Sequence, residues 1–215
     1  MKIAVLGTGE VGRRLAGKLV AVGHEVTLGS RTADNPAAIE WATATDAAHG
    51  TFAQAAAGAE IVLNATGGLV SLAALRAAGA ENLRGKVLID VSNPLDFSEG
   101  FPPKVVQPDG ISVAEQIQAA FPEAKVVKTL NTMANEVMVD PGQVPGPHNV
   151  FLSGDDADAK AQVAGILRSF GWGDDQVMDL GDLSSARGTE LFLSLWLRLM
   201  GAAGARVFNV GVLKG

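Results

Sequence analysis

Apolar positions along this chain follow two rhythms that take turns. Nearly unbroken apolar runs at 2–6 (KIAVL), 60–64 (EIVLN), 86–91 (KVLIDV) and 125–129 (KVVKT) read as buried strands. Between them the apolar spacing lengthens to three and four. Val11, Leu15, Leu19 and Val22 mark one face of a helix over 10–22. A strand over 25–28 follows, then helices over 35–47, with Pro36 in its first turn, and over 69–78. Ser112 and Glu115 stand at capping-box spacing at the head of a helix over 112–120. Segments 149–153, 157–170 and 176–180 supply one more strand–helix–strand unit. This alternation predicts an α/β fold, a doubly wound parallel sheet with helices on both faces. The Pro- and Gly-rich stretch from Ser92 to about Gly110 predicts a long irregular loop, of the kind that often carries function. Residues 191–203 are apolar nearly all round, which predicts a helix buried within the chain or against a partner. The expected division is 1–182 for the sheet and 183–215 for a small C-terminal helical part.

Composition narrows the class. A hydrophobic content of 47% against 19% charged residues supports a folded core. The net charge of −6 argues against nucleic acid as a partner, since that needs a basic face. The absence of cysteine excludes disulfides and thiol chemistry. His24, His49 and His148 show no helical ligand spacing, so no metal site is expected. The chain enters a strand directly after Met1 and has no apolar run that would span a bilayer. A cytoplasmic protein without a membrane partner is the expectation.

Gly7-Thr8-Gly9-Glu10-Val11-Gly12 matches GxGxxG, here between a predicted strand and a predicted amphipathic helix. In that setting Gly7 allows the tight turn, Gly9 lets a pyrophosphate approach the backbone, and Gly12 lets helix and strand pack closely. The helix N-terminus adds partial positive charge. The fold is therefore expected to be a Rossmann sheet. At the end of the second strand an NAD site would place a carboxylate for the ribose 2′-hydroxyl. This chain has Ser30, Arg31 and Thr32 instead, a guanidinium and two hydroxyls suited to a 2′-phosphate. The cofactor expected is NADP(H).

Over nearly its whole length the chain resembles the NADPH-dependent reductases of the deazaflavin coenzyme F420, the F420H2:NADP+ oxidoreductases. The resemblance rests on KIAVLGTGEVGRRLAGKLVAVGHEVTLGSR at the start, VVKTLNTMANEV from Val126, VFLSGDDADAK from Val150, DLGDLSSARGTE from Asp179, and the hydrophobic tail. It implies an N-terminal Rossmann domain, a helical C-terminal part that joins a homodimer, and a nicotinamide lying over the deazaflavin in a cleft between the two. By position, Thr8, Gly9, Glu10 and Val11 would hold the pyrophosphate, and Ser30 and Arg31 the 2′-phosphate. Ala65, Thr66 and Gly67 would line the nicotinamide ribose, and Asn131, Met133 and Ala134 would sit near the reacting rings. Several family members carry histidine where Asn131 stands and proline where Ala134 stands. The architecture is also similar to the cytosolic reductase domains of membrane metalloreductases.

The function implied is hydride transfer between NADP(H) and coenzyme F420. It requires two rings aligned within about 3–3.5 Å and shielded from water, with little acid–base help, so no catalytic residue is singled out. Another acceptor (a flavin, a metal chelate, a small carbonyl or imine) and a non-enzymatic NADP(H)-sensing module are the alternatives. The absence of tyrosine rules out the Tyr–Lys proton-donating pair of many carbonyl reductases. Asn64, Thr66, Ser92, Asn93, Lys128, Asn131 and Thr132 are the polar residues expected at strand ends, where each could equally be a cap or turn residue. Asp90 falls inside a strand, and Trp172, Trp196 and Met200 read as core or interface.

Overall fold

The computed structural model describes residues 1–213 and 215. Its first half alternates strands β1 (Lys2–Leu6), β2 (Glu25–Ser30), β3 (Ala48–Thr51) and β4 (Ile61–Asn64) with helices α1 (Glu10–Ala21), α2 (Pro36–Thr45) and α3 (Phe52–Ala57). Helices α4 (Gly68–Ala78) and α5 (Ala80–Leu83), β5 (Val87–Asp90) and a small antiparallel hairpin of β6 (Leu95–Asp96) and β7 (Lys104–Val105) follow. The second half holds α6 (Val113–Ala120), β8 (Lys125–Thr129), α7 (Asn135–Val139), β9 (Val150–Gly154), α8 (Ala157–Phe170), β10 (Val177–Asp179) and α9 (Ala186–Ala203). No helix among the described residues is long and apolar enough to cross a membrane.

Alternation along each central strand builds two cores. Ile3, Val5, Ile61, Leu63, Val87 and Ile89 face one side, against Leu15 and Leu19 of α1, Trp41 of α2 and Leu167 of α8. Ala4, Leu6, Val62 and Leu88 face the other, against Phe52 of α3, Leu75 of α4 and Ile117 of α6. Both faces are covered, so the strands read as unbroken apolar runs.

The sheet order is β10-β9-β8-β5-β4-β1-β2-β3. Its six strands from β3 to β8 are parallel and form the expected doubly wound sheet. The last two depart from an all-parallel sheet: β9 runs antiparallel to β8, and β10 parallel to β9. Between β8 and β9 the chain holds the five-residue α7 and the turn at Pro141–Gln143; between β9 and β10 it holds the 14-residue α8, and β10 lies parallel to its predecessor.

Other features also lie outside the sequence expectations, among them the short helices α5 and α7. β3 and α3 occupy residues 48–57, where Thr51 and Gln54 complete a capping box. The long loop after β5 contains the β6–β7 hairpin. Helix α9 covers only one face within the chain. Thr189, Glu190 and Leu193 are buried, whereas Leu191 and Leu195 are 49% and 53% exposed.

Helix α9 is joined to α6 by Arg187, whose guanidinium donates to both carboxylate oxygens of Glu115 at 2.6–3.1 Å. The same carboxylate caps α6 through the Ser112 amide. The Arg187 hydrogen bonds lower the Glu115 pKa to about 2, against a desolvation effect that would raise it. A depressed carboxylate pKa stabilises the fold above its unfolded value near 4.5 and ceases to do so as pH falls through about 2. Glu115→Gln should lower the melting temperature by roughly 2–4 °C near pH 7. Melting curves against pH should show that gap narrowing between pH 5 and 2; a constant gap would mean that the pair contributes nothing that titrates.

Candidate functional site

The carboxyl ends of β1, β2, β4, β5 and β8 open on one edge of the sheet, and the residues after them line two adjoining chambers. The chain order reverses between β1 and β4, the place where open α/β sheets offer a crevice. The first chamber has a volume of about 650 Å³. Gly7, Thr8, Gly9, Ser30, Arg31, Asn35, Phe52, Ala65, Thr66 and Gly67 line it, with Val70 and three alanines of α4. The second, about 320 Å³, is bounded by Gly9, Glu10, Val11, Ser92, Asn93, Leu95, Phe97, Asn131, Met133, Met138, Leu193 and Trp196, among others. Gly9, Ala65, Thr66 and Gly67 belong to both. A larger open groove, about 880 Å³, lies elsewhere beside α6; its acids are committed, Glu115 to Arg187 and Asp156 to Lys125.

The glycine turn is built by close approach. Gly7 has φ +119°, and a Cβ there would lie 2.7 Å from the Ala65 carbonyl oxygen. A Cβ on Gly12 would lie 2.0 Å from the Gly7 carbonyl oxygen, so any side chain there forces α1 off its strand. Gly9 has nothing within 4 Å, which leaves its face open to a ligand. Arg13 donates to the Thr8 carbonyl at 2.6 Å and holds the turn in shape. Helices α2, α3, α6 and α8 carry side-chain caps, whereas α1 and α4 begin on Gly9 and Gly67, which offer none. Both N-termini border the first chamber; the first amides of α1 suit an anion, whereas the Gly68 amide of α4 is given to the Asn93 carbonyl.

The expected site residues fall into three groups. Gly7, Thr8, Gly9, Ser30, Arg31, Ala65, Thr66 and Gly67 meet in the first chamber. Glu10, Val11, Asn131 and Met133 meet in the second. Gly12, Thr32 and Ala134 line neither: Gly12 is buried beneath the turn, Thr32 is exposed, and Ala134 is buried at the head of α7. The Ser30 hydroxyl donates to the Thr32 carbonyl at 2.5 Å, which shapes the bend that presents the exposed Arg31. Sequence reasoning missed Phe97 and Leu193 as walls of the second chamber and took Trp196 for core or interface. Trp196 stacks on Phe208, with ring centroids 5.3 Å apart, and also lines the chamber. A period-based reading could not bring residues so far apart in sequence to one cavity.

Beneath the second chamber lies a charged cluster buried to within 1%. Lys128 Nζ donates to Asp90 Oδ2 at 2.8 Å and to the Ser92 carbonyl at 2.5 Å, and sits 2.9 Å from Glu190 Oε1. Three protons meet three acceptors. Burial acts to lower the Lys128 pKa, but the charges of Asp90 and Glu190 outweigh it and raise it. Glu190 accepts from the Val113 and Ala114 amides at the head of α6, and Asp90 from Asn64 Nδ2 and the Ser92 amide. Asn64 also binds Ser71 and Thr66. Asp90, expected inside a strand, is thus the hub of a buried network.

Above this floor Asn93 and Asn131 pair. Asn93 Nδ2 donates to the Asn131 carbonyl at 2.8 Å, and Asn131 Nδ2 to Asn93 Oδ1 at 3.0 Å. Leu130 precedes them at φ +63°, a left-handed conformation that costs a branched residue about 1–2 kcal/mol. A Cβ on Gly68 would lie 2.5 Å from the Asn93 backbone, so α4 starts against this turn only because residue 68 is glycine. The second chamber offers apolar walls and amide groups. Its one carboxylate, Glu10, is tied to Arg206.

Lys128→Met should lower the unfolding free energy by about 3–5 kcal/mol, because two buried carboxylates lose their counter-charge. Glu190→Gln should cost less, since it leaves a balanced Lys128–Asp90 pair. Urea titration of both variants decides the order; equal losses would mean that packing, not charge, sets the cost.

The family model for NADP oxidoreductases that depend on coenzyme F420 matches residues 2–94. A candidate F420-dependent NADP reductase from Arthrobacter sp. FB24, solved by crystallography, is 54% identical, covers 100% of both chains and superposes with a TM-score of 0.94. Metalloreductase STEAP3 of Rattus norvegicus is 31% identical over 195 residues, 88% of this chain and 36% of that protein. The F420-dependent NADP reductase of Methanocaldococcus jannaschii is 29% identical over 121 residues, 55% of this chain and 52% of the other. The chain thus spans about a third to a half of the length of these two relatives.

Proposed function

The chain belongs to the family of coenzyme F420-dependent NADP oxidoreductases, and we propose that it passes a hydride between NADP(H) and coenzyme F420 across its two chambers. One observation carries this reading. A chamber fitted for a phosphorylated nucleotide opens, through Ala65, Thr66 and Gly67, into a chamber walled by apolar side chains and amides. The hydride chemistry belongs to the two cofactors. The chain binds, aligns and shields them.

In this reading the turn from Gly7 to Gly12 takes the pyrophosphate: the amides of Thr8, Gly9, Glu10 and Val11 face it, and Gly12 keeps α1 close. Arg31 takes the 2′-phosphate on the bend set by Ser30 and Thr32. Ala65, Thr66 and Gly67 line the nicotinamide ribose, with Thr66 held by its 2.6 Å bond to Asn64 Oδ1. Asn131 and Met133 border the reacting rings, and Ala134 supports them from the start of α7. Residues 1–182 would form the NADP-binding unit. Residues 183–215 would contribute Leu193 and Trp196 to the acceptor side and, through the exposed Leu191 and Leu195, join a homodimer.

Arg31→Ala should raise the dissociation constant for NADPH about 10- to 100-fold, the loss of a charge-assisted hydrogen bond, and leave NADH little changed. Titration of both cofactors against both proteins tests it; an equal loss for NADH would remove the 2′-phosphate assignment. The acceptor is tested by following deazaflavin absorbance with NADPH, beside free flavin and a ferric chelate. Turnover of the deazaflavin in preference to both is expected. Turnover of flavin or chelate without deazaflavin would replace the acceptor and leave the nucleotide site intact.

A further inference from the structure

The C-terminal strap returns to the phosphate-binding turn. After α9 ends at Gly204, Arg206 Nη2 reaches Glu10 Oε1 at 2.7 Å and also contacts Glu136. Glu10 is the first residue of α1, and Glu136 stands in the first turn of α7. Arg14 adds a looser contact to Glu10, 3.6 Å away. Arg13, the other nearby guanidinium, is committed to the Thr8 carbonyl.

Glu10 poses an electrostatic problem. Its carboxylate is attracted to the N-terminus of α1, the feature that also attracts a pyrophosphate. Left bare, it would repel the anion that the turn is built to hold. Arg206 is the guanidinium that touches both carboxylates; without it the charges at the turn, Arg13 on Thr8 included, fall from one net positive to none, and Glu10 keeps only the looser contact to Arg14. The Arg206 hydrogen bond is also the first cause of the lowered Glu10 pKa, so the carboxylate stays ionised and in need of its partner.

The strap does not need Arg206 to stay in place. Phe208 stacks on Trp196. Asn209 Nδ2 lies 3.0 Å from His148 Nδ1 and donates to the Asn149 carbonyl at 2.9 Å. Asn149 bonds the strap twice more, from its amide to the Val210 carbonyl and from the Val212 amide to its side chain. These contacts leave charge, rather than anchorage, as the contribution particular to Arg206.

We propose that Arg206 is a positioning residue for cofactor binding: it neutralises Glu10 at the head of α1 and so admits the pyrophosphate. The proposal rests on the NADP(H) reading of the site. It is tested by calorimetric titration of the full chain with NADPH at low and high salt. Arg206→Ala should weaken binding roughly three- to tenfold at low ionic strength, with the deficit shrinking as salt screens it. Arg206→Lys should keep most of the affinity. Glu10→Gln in the Arg206→Ala background should restore binding to within about twofold of wild type. Melting curves run alongside should show the double variant no more stable than the single one, which separates charge relief from refolding. If Glu10→Gln fails to rescue, the proposal falls and Arg206 either touches the cofactor or holds the strap. An unchanged affinity in Arg206→Ala overturns it as well. If wild type itself does not bind NADPH, the reading of the site fails first and takes this inference with it.

Discussion

The fold's functional edge depends on one ammonium group between two carboxylates. Lys128 on β8 reaches Asp90 on β5 and Glu190 on α9, all three fully buried. The cluster carries one negative charge more than it balances. The excess is met by backbone dipoles, the Val113 and Ala114 amides on Glu190 and the Ser92 amide on Asp90. A buried ion pair adds little net stability over an apolar replacement. What it supplies here is placement. An apolar helix could slide or rotate over an apolar surface, whereas Glu190 has a single position that meets Lys128 and the head of α6 together. That position also places Leu193 and Trp196 against the second chamber. The floor is continuous upward through the Ser92 carbonyl to the paired amides of Asn93 and Asn131.

The strand reversal after β8 serves the same edge. The short α7 keeps Met133 and Met138 beside the opening and turns the chain through Pro141 and His148 into β9. His148 then lies buried between Trp172 and the strap, with Nε2 on the Pro141 carbonyl. The two reversed strands extend the sheet, and His148 and Asn149, just ahead of β9, take the C-terminal strap.

The parts legible in the sequence are those set by local rules. Five of the six parallel strands and α1 followed from the pattern, and the β8 and α8 boundaries were read to the residue. The glycine turn was readable because its needs are met within a few neighbours: Gly7 for φ +119°, Gly12 for its contact with Gly7. What failed depends on distance. Nothing near β9 reveals that it runs antiparallel to β8. Glu190 carries no local sign that it will meet a lysine 62 positions earlier. Phe97 and Trp196 look like loop and core until the fold brings them to one cavity. Helix α3 was missed although a local sign existed: Thr51 and Gln54 stand at capping-box spacing, and the alanine-rich run around them hides the periodicity.

The two chambers therefore answer to different constraints. The first is shaped by backbone, and the glycines at 7 and 12 cannot take a side chain without moving β4 or α1. Its shape is bound to the fold. In the second, Leu95, Phe97, Met133, Leu193 and Trp196 present side chains from the hairpin, the β8–α7 turn and α9, held in place from below by the Lys128 cluster. Exchanging one apolar wall for another of similar volume disturbs no charge and no strand register. The second chamber can thus be reshaped while the first stays as it is, and α9 can serve as a wall because it is pinned by charge at Glu190 rather than by the surface it displays.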